Sequence, residues 1–223
     1  MITRKWLKYP RIAHVPFSSK TDPDDFFTDL DIFGKEWIVT EKLDGSQIGI
    51  QFVGGAPDVR NRNADILHGG ADRQFHPFPA WFSARYDAMW NLLGDDYVLF
   101  GEWLFHVHTA QYDTLPDWFV AFDMLDKHTG EFLLFDDAFR RSVSAGLAFV
   151  PVLGRDVIHD EKHLLSFIAR STFGSGDMEG VVLHSPDGKA RVKYVTPAFK
   201  AIFNEHPRDW RWEPERERNS VRR

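Results

Sequence analysis

Alternation of hydrophobic and polar residues, with runs of β-branched and aromatic side chains, predicts short β-strands along most of the chain. The predicted strands are Trp37–Glu41, Gln47–Val53, Tyr97–Trp103, Trp118–Leu125, Glu131–Leu134, Gly180–His184 and Ala190–Val195. The last two flank a Ser-Pro-Asp-Gly sequence at residues 185–188. Because Pro and Gly supply the backbone angles that a tight turn needs, this pair is predicted to form a hairpin.

Apolar residues recur at helical spacing in three further segments, Ala80–Leu93, Asp136–Ala148 and Asp160–Thr172. The second and third begin with acidic residues, which favour a helix N-terminus because they complement the positive end of the helix dipole. Strands in hairpin order, interrupted by helices, indicate an α+β fold with mainly antiparallel sheets flanked by helices. Residues Gly54–Gln74 are rich in loop-forming residues and are predicted to form a loop.

The composition is that of a globular protein, because 43% of the 223 residues are hydrophobic. The length fits one large domain. Cysteine is absent, which excludes disulfides and Cys-ligated zinc and fits a reducing compartment. No apolar run is long enough for a transmembrane helix, and the first residues are too polar for a signal peptide. We therefore expect a cytoplasmic protein.

The net charge of −6 argues mildly against nucleic-acid binding. Phosphate contacts depend on a local basic surface, so the overall charge does not decide the matter. The stretch Arg208–Arg223 is rich in arginine and has two tryptophans. Two interpretations of this stretch are open: a solvated helical tail, or a tail that contacts a nucleic-acid strand.

The segment around Lys42 carries the most informative chemical pattern. The residues Lys42-Leu43-Asp44-Gly45 follow a predicted strand. A lysine at a strand end, followed by an acid and a glycine, can present its amine to a phosphate while the backbone turns sharply. The alternative is an exposed lysine before a β-turn, with Asp-Gly closing a hairpin. Four residues alone do not decide between the two.

Further segments follow this one in a set order. A Phe-Gly-Glu-Trp sequence places Glu102 in a predicted strand, and Phe122 lies beside an aspartate in the next apolar strand. A Glu-Gly-Val-Val sequence begins at Glu179 and opens the predicted hairpin. The second strand of that hairpin carries Arg191 and Lys193, which the two-residue period of a strand places on one face.

This ordered set resembles the covalent nucleotidyltransferases, a superfamily of polynucleotide ligases and messenger-RNA capping enzymes. The resemblance extends from about Trp37 to Val195. The compact spacing is most similar to the RNA ligase family typified by the phage T4 RNA ligase 2 group. It implies a nucleotidyltransferase (ligase adenylation) domain over residues 1–195 and a short tail over residues 196–223, without an OB-fold.

The chemistry of nucleotidyl transfer explains why these residue types suit one another. A lysine that attacks phosphorus must be neutral, and deprotonating a lysine of pKa ~10.4 at pH 7 costs about 4.6 kcal/mol. A divalent cation, neighbouring cationic groups or burial can supply that change. Carboxylates can hold the waters of a hydrated Mg²⁺, and basic side chains can bind the triphosphate. A flat apolar ring such as that of Phe122 can contact adenine.

The resemblance implies that Lys42 reacts with ATP to form a lysyl-AMP intermediate and releases pyrophosphate. AMP then passes to an RNA 5′-phosphate, and a 3′-hydroxyl attacks this activated end. The implied catalytic residues are Lys42, Asp44, Glu102, Glu179 and Lys193. The implied nucleotide-binding residues are Glu41, Lys42, Gln47, Arg62, Glu102, Phe122, Glu179, Arg191 and Lys193. The implied ligands of Mg²⁺ or Mn²⁺, through water, are Asp44, Glu102 and Glu179.

The chain departs from the RNA ligase 2 pattern at several positions. Gln47 replaces an asparagine, Arg191 replaces the first of two lysines, and His184 stands where lysine or arginine is common. Arginine keeps the charge but differs from lysine in geometry. These departures concern the phosphate contacts rather than the nucleophile. Arg60 is the reserve candidate for the role assigned to Arg62.

Two histidines outside these segments invite a metal-site interpretation. His106 and His108 are predicted to alternate on one strand face. A zinc site would need a further ligand at a telling spacing, and the sequence offers none. The other interpretation is a substrate role for His108, which resembles a histidine after Gly-Glu-Trp in some bacterial RNA-ligase-like proteins.

Only Thr196–Arg223 follow the last matching segment, which is too short for the OB-fold barrel that usually follows in DNA ligases and capping enzymes. We therefore predict an ATP-dependent RNA ligase that acts on RNA ends. Either a partner protein supplies the grip on the substrate, or the chain is a minimal ligase. A minimal DNA ligase or a GTP-dependent guanylyltransferase is the second hypothesis, and a catalytically silent nucleic-acid-binding relative is the third.

Overall fold

The computed structural model describes residues 6–20, 23–62, 64–67, 73–205 and 217–222. The strands are β1 (Ala13–His14), β2 (Lys35–Lys42), β3 (Ser46–Val53), β4 (Ala56–Arg60), β5 (Tyr97–Trp103), β6 (Phe119–Asp126), β7 (Ala148–Phe149), β8 (Val152–Ile158), β9 (Gly180–His184) and β10 (Arg191–Val195). The helices are α1 (Phe78–Ser83), α2 (Tyr86–Leu93), α3 (Phe135–Ser144), α4 (Glu161–Leu165) and α5 (Pro197–Glu205). The chain divides into two units: unit 1 comprises Met1–Pro10, Gly45–Phe105 and Asp117–Phe149, and unit 2 comprises Arg11–Asp44, His106–Pro116 and Val150–Arg223.

Unit 1 contains a five-stranded sheet in the order β4-β3-β5-β6-β7. Neighbouring strands are antiparallel except β6 and β7, which are parallel. The ring of Phe52 in β3 contacts those of Phe82 in α1 and Trp90 in α2, at centroid distances of 6.3 and 5.1 Å. Tyr9 packs against Phe100 of β5 at 5.0 Å. These aromatic side chains stabilise the unit because they remove large apolar surfaces from water.

Unit 2 contains a second five-stranded sheet in the order β1-β10-β9-β2-β8. Strand β2 lies between β9 and β8 and is antiparallel to both, whereas β1 and β10 are parallel. Trp37 and Val39 of β2 join Val181 and Leu183 of β9 in one hydrophobic core. Because side chains alternate across a strand, the residues between these positions lie on the opposite face of the sheet. Lys42 belongs to that opposite face.

The predicted α+β class, with mainly antiparallel sheets flanked by helices, is confirmed. Strands Tyr97–Trp103 and Gly180–His184 have the predicted bounds, and the predicted hairpin forms between β9 and β10. The strand predicted at Glu131–Leu134 is wrong, since the structure has an isolated bridge between Leu125 and Phe132 there. One residue pair does not make a strand, although the local pattern of apolar residues suggested one.

The predicted helices are shorter than expected. The segment Ala80–Leu93 holds two helices, because the backbone leaves the helical angles at Arg85, where φ is −121°. The helix predicted at Asp160–Thr172 ends at Leu165. Four strands were missed. Strands β1 and β7 have two residues each, too few for a period to show, and β4 lies in the predicted loop. Strand β8 is an edge strand whose exposed charged pair interrupts the apolar alternation. No helix in the described part of the chain combines the length and apolar character needed to cross a bilayer.

Candidate active site

Lys42 ends β2 on the sheet face opposite the core of unit 2. It lies across from Gly180, the first residue of β9. A side-chain carbon built at Gly180 would overlap the carbonyl oxygen of Tyr194, so only glycine fits this position without a shift. The Nζ atom of Lys42 is 2.8 Å from Oε1 and 2.8 Å from Oε2 of Glu179. Two of the predicted catalytic residues of this unit, Lys42 and Glu179, are therefore in direct contact.

The Glu179 carboxyl group is buried, with 4% of the residue exposed. Burial raises its pKa from 4.5 to about 7, and Lys42 opposes this shift because a positive neighbour favours the carboxylate. The nearby Asp44 also raises the pKa of Glu179. The group consequently changes its protonation state near neutral pH, which suits a residue that exchanges a proton with a lysine.

Lys193 lies on the same sheet face as Lys42. Lys193 pairs with Val182 of β9 while Lys42 pairs with Gly180, and the two β9 positions are one period apart. Burial and, after it, the positive charge of Lys42 lower the pKa of Lys193. The structure thus brings two predicted catalytic residues, Lys42 and Lys193, to one face of the sheet.

Asp25 holds the ammonium group of Lys193. Lys193 Nζ donates a hydrogen bond of 3.0 Å to Asp25 Oδ1, and the aspartate is buried. The other oxygen, Oδ2, lies 3.1 Å from Nε2 of the fully buried His14. Burial lowers the pKa of His14 to about 4, with Lys193 as the second cause, so His14 is neutral at pH 7. Neither residue was found in the sequence, because each stands alone in a segment without a recognisable pattern.

Asp44 is fixed by the loop His106–Pro116, which we call the Tyr112 loop. Its Oδ2 atom accepts hydrogen bonds from the backbone N–H groups of Thr109 and Ala110, at 2.6 and 2.9 Å. The backbone N–H of Asp44 donates to the hydroxyl oxygen of Tyr112 at 2.7 Å. Burial raises the pKa of Tyr112 well above its usual value, so the hydroxyl is uncharged at neutral pH. Tyr112 was also missed, because nothing near it in sequence indicated a partner.

The carboxylate of Glu41 points to the core side of the sheet. It accepts hydrogen bonds from the Ser171 hydroxyl at 2.6 Å and from the Thr172 N–H at 2.9 Å. The residue is buried, with 1% exposed. Its side chain therefore ties β2 to residues 171–172. The nucleotide contact implied by the resemblance stays a prediction for this residue.

Arg191 and His184 are register partners in the β9–β10 hairpin. The Arg191 guanidinium donates to the carbonyl oxygen of Gly188 in the connecting turn at 2.7 Å. Burial lowers the pKa of His184 to about 3, and Arg191 adds to the shift, so this histidine is neutral. A neutral, buried His184 does not replace the charge of the lysine or arginine that is common at this position in the family pattern.

Three predicted residues of unit 1 lie close together. Gln47 of β3 and Glu102 of β5 are register partners, so their side chains are neighbours on one face. Gln47 Oε1 accepts a 2.9 Å hydrogen bond from Arg62 Nε. Both Gln47 and Arg62 line a small pocket of this unit, and the reserve candidate Arg60 lines it too.

Phe122 and Asp123 lie where β6 shifts register against β5. The half-buried ring of Phe122 meets the ring of Tyr9 edge-on, with centroids 5.1 Å apart. Asp123 is buried, and its Oδ2 atom accepts a 2.9 Å hydrogen bond from the Tyr9 hydroxyl. Core packing is thus part of the role of Phe122. Its contact with adenine stays a prediction.

The prediction that His106 and His108 share a strand face is wrong. Strand β5 ends at Trp103, and His106 forms an isolated bridge with Arg218. Across residues 6–20, 23–62, 64–67, 73–205 and 217–222, no group of three His, Cys, Asp or Glu side chains is arranged to hold a metal directly. The same bridge corrects the interpretation of Arg208–Arg223 as a solvated helical tail for residues 217–222, which pair with the Tyr112 loop. The rest of that stretch lies outside the described residues.

Comparison with known proteins identifies the family of the chain. Residues 35–202 match the sequence model of the RNA ligase family, which is more than half of the chain. The chain belongs to the RNA ligase family. The family match includes every predicted site residue from Glu41 to Lys193. A search of curated proteins found no match.

Solved structures of similar fold include an RNA ligase. The structure of Naegleria gruberi RNA ligase with PPi is 22% identical in sequence and superposes with a TM-score of 0.64, over 78% of this chain and 53% of that one. A mutant of the same ligase with ATP and Mn gives 18% identity and a TM-score of 0.62 over the same shares. At these identities the likeness shows the fold. This chain spans about half the length of the solved chains.

Proposed function

We propose that the chain acts as an ATP-dependent RNA ligase that joins 5′-phosphate and 3′-hydroxyl RNA ends. The observation that carries this proposal is the contact of Lys42 Nζ with both carboxylate oxygens of Glu179, at 2.8 Å each. Lys193 lies on the same face of the sheet, where it adds positive charge for a phosphate. Membership of the RNA ligase family and the ATP and Mn in a similar solved structure support the choice of reaction.

In the first step Lys42 Nζ attacks the α-phosphorus of ATP. A nitrogen–phosphorus bond forms, the bond from that phosphorus to the bridging oxygen breaks, and pyrophosphate leaves. Lys42 loses two protons in all. The first passes from its ammonium group to Glu179 before the attack, because a pKa of about 7 allows Glu179 to accept and release a proton near neutrality. The second leaves the nitrogen as the nitrogen–phosphorus bond forms and is taken up by the departing pyrophosphate or by water. Lys193 stabilises the negative charge that develops on the phosphate oxygens.

The two later steps transfer AMP to the RNA end and then release it. The RNA 5′-phosphate displaces Lys42 from the AMP phosphorus, which gives an adenylylated RNA end. The RNA 3′-hydroxyl then attacks the RNA phosphorus, forms the new phosphodiester bond and releases AMP. The residues proposed to bind the nucleotide are Glu41, Lys42, Gln47, Arg62, Glu102, Phe122, Glu179, Arg191 and Lys193. Arg62 and Arg191 are the proposed phosphate contacts besides Lys193.

The carboxylates fit a hydrated divalent cation. Magnesium is usually held by one or two carboxylates, several waters and the phosphates of the substrate. Both backbone bonds to Asp44 go to Oδ2, which leaves Oδ1 to accept from a metal-bound water. Asp44, Glu102 and Glu179 are the residues that would hold Mg²⁺ or Mn²⁺ through water. When bound, the cation neutralises phosphate charge and polarises the phosphorus that is attacked.

Intact-mass measurement tests the proposal most directly. The wild-type protein is incubated with Mg²⁺ or Mn²⁺ and with ATP, GTP or NAD separately. We expect a gain of one AMP from ATP, loss of the gain in Lys42→Ala, and an unchanged gain in Lys189→Ala, which removes an exposed lysine from the β9–β10 turn. A gain from GTP alone would indicate a guanylyltransferase, and no gain from any nucleotide would indicate a catalytically silent relative.

Sealing assays determine whether RNA or DNA is the substrate. Labelled 5′-phosphorylated RNA and DNA, as nicked duplexes and as single strands, are offered to the AMP-charged protein. We expect joined RNA and little joined DNA. If DNA is joined more efficiently, the chain is a DNA ligase. If AMP loads on Lys42 but neither polymer is joined, a partner protein supplies the grip on the substrate.

A further inference from the structure

Residues Glu217–Arg222, which we call the clamp segment, pair along the Tyr112 loop within unit 2. The Val107 N–H donates to the Glu217 carbonyl at 3.0 Å, and the Leu115 N–H donates to that of Ser220 at 3.0 Å. Ser220 and Arg222 donate in return to the carbonyls of Tyr112 and Leu115, each at 2.9 Å. The backbone bonds therefore run the length of the loop, from residue 107 to residue 115.

Asn219 is the buried polar residue of this pairing, with 3% exposed. Its Oδ1 atom accepts a hydrogen bond from the Tyr112 N–H at 2.8 Å. Its Nδ2 atom donates to the His106 carbonyl oxygen at 3.2 Å. One amide group thus joins the beginning of the loop to its middle. Removing it would leave a buried backbone N–H without its partner, which costs about 1–3 kcal/mol.

The Tyr112 loop also holds Asp44, through three hydrogen bonds. Two backbone N–H groups of the loop donate hydrogen bonds to the Asp44 carboxylate. The Tyr112 hydroxyl oxygen accepts a hydrogen bond from the backbone N–H of Asp44. Tyr112 therefore contacts both Asn219, through its backbone, and Asp44, through its side chain. Asp44 is two residues from Lys42 and is a proposed holder of the metal ion.

A third set of contacts fixes the same loop from another side. The N–H groups of Asp113 and Thr114 donate to the carbonyl oxygen of Phe173, at 2.8 and 3.0 Å. Backbone hydrogen bonds therefore hold the loop at residue 173 as well as at the clamp segment. The orientation of Asp44 then follows from the position of the loop, because every bond to its carboxylate oxygen Oδ2 comes from loop backbone.

We propose that Tyr112 and Asn219 are positioning residues for Asp44, and that the clamp segment keeps the Asp44 carboxylate aligned for a divalent cation. This inference rests on the proposed function, in which Asp44 would hold the divalent cation through water. Residues that orient a metal-binding group typically change metal affinity or activity by about 10–100-fold when they are replaced.

Two variants and one matched control test the proposal in the full-length chain. Tyr112→Phe keeps the buried ring and removes the hydroxyl that accepts the hydrogen bond from the Asp44 N–H. Asn219→Ala removes the amide that holds the loop. Gln111→Ala is the control, because the Gln111 amide donates to the Glu217 carboxylate at 3.0 Å across the same two segments but is exposed and does not reach Asp44.

The first readout is the rate of AMP loading on Lys42 as a function of Mn²⁺ concentration. We expect the concentration for half-maximal rate to rise about tenfold or more in Tyr112→Phe and Asn219→Ala and to stay unchanged in Gln111→Ala. The second readout is hydrogen exchange at the amides of Asp44, Thr109 and Ala110, which requires no catalysis. Exchange there should be at least about tenfold faster in Asn219→Ala than in the control, because the loop bonds that protect these amides open more often.

Wild-type exchange together with wild-type Mn²⁺ dependence in both variants would overturn the proposal. If the wild-type protein itself gains no AMP, the proposed function fails, and the exchange data still decide whether Asn219 fixes the loop at Asp44. If Asn219→Ala does not fold, Tyr112→Phe decides on both readouts, because it changes a single hydroxyl group.

Discussion

Lys42 donates to Glu179 from 2.8 Å, yet burial outweighs this contact and leaves the pKa of Glu179 raised to about 7. A salt bridge to a lysine alone would lower the pKa of a carboxyl group. The raised value shows that the surroundings disfavour the ionised form of Glu179 more than Lys42 favours it. A carboxylate with a raised pKa is a better proton acceptor for Lys42 than an ordinary glutamate is.

The raised pKa of Glu179 predicts a pH-dependent stability. Between pH 4.5 and about 7 the folded protein keeps the Glu179 proton while the unfolded chain releases it, so stability from this group is present below pH 4.5 and is lost as pH rises towards 7. The free energy of unfolding of the wild type should therefore fall relative to that of Glu179→Gln, with a slope of up to about 1.4 kcal/mol per pH unit. Urea unfolding at pH 5 and pH 7.5 measures it. If the free energies of unfolding of the wild type and Glu179→Gln differ by the same amount at both pH values, the raised pKa of Glu179 is contradicted.

Gly180→Ala should destabilise unit 2 strongly. The added methyl group would overlap the carbonyl oxygen of Tyr194 in the neighbouring strand, and backbone atoms cannot move aside as a side chain can. We expect the free energy of unfolding to fall by about 3 kcal/mol or more, at the upper end of the cost of overpacking. Gly176→Ala is the matched control, because a methyl group there meets no atom within 4 Å. Equal denaturation midpoints for the two variants would refute the predicted clash.

Asp25→Ala should leave the ammonium group of Lys193 buried without its carboxylate. Breaking one partner of a buried pair costs about 3–5 kcal/mol, and the positive charge of Lys42 adds to the unfavourable environment. We expect Lys193→Met to restore part of the lost stability in the double variant, because the uncompensated charge is then gone. Chemical unfolding of the wild type, both single variants and the double variant gives the coupling energy. If the double variant loses the sum of the unfolding free energies that the two single variants lose, Asp25 does not act through Lys193.

Lys193→Ala and Arg191→Ala should differ in their effect on AMP loading. Lys193 shares a charged cluster with Lys42 and Glu179, whereas the Arg191 guanidinium is bonded to a turn carbonyl. Removing one group that stabilises transition-state charge costs about 100-fold in rate, which we expect for Lys193, and about tenfold or less for Arg191. Single-turnover rates at saturating ATP test this. A larger loss in Arg191→Ala would reverse the assignment of the phosphate contacts.

The central part of the site was predictable because it lies on strands with regular periods. The two-residue period placed Arg191 and Lys193 on one face. The association of Lys42 with Glu179, 137 positions apart, came instead from the resemblance to the RNA ligase family. The β9–β10 hairpin followed from its Pro-Asp-Gly turn. Local patterns of this kind survive in the sequence because they depend on neighbours within a few residues.

The supporting residues were not predictable for the opposite reason. Asp25 meets Lys193 across 168 positions of sequence, and Asn219 meets Tyr112 across 107. An aspartate or an asparagine in an irregular segment has the same appearance whether it faces water or a buried lysine. Strand β8 was not predicted for a related reason: it lies at the edge of its sheet and carries exposed charged residues instead of an apolar alternation.

The distance along the chain between Lys42 and Glu179, 137 positions, has a consequence during synthesis on the ribosome. Strand β2 leaves the ribosomal tunnel long before its antiparallel neighbours β8 and β9 are synthesised. Until then its backbone N–H and C=O groups have no strand partners. Such distant pairings also fold slowly, because a long loop must close before they form. A truncated translation product that lacks β9 would therefore carry Lys42, the proposed nucleophile, without the Glu179 carboxylate that contacts it.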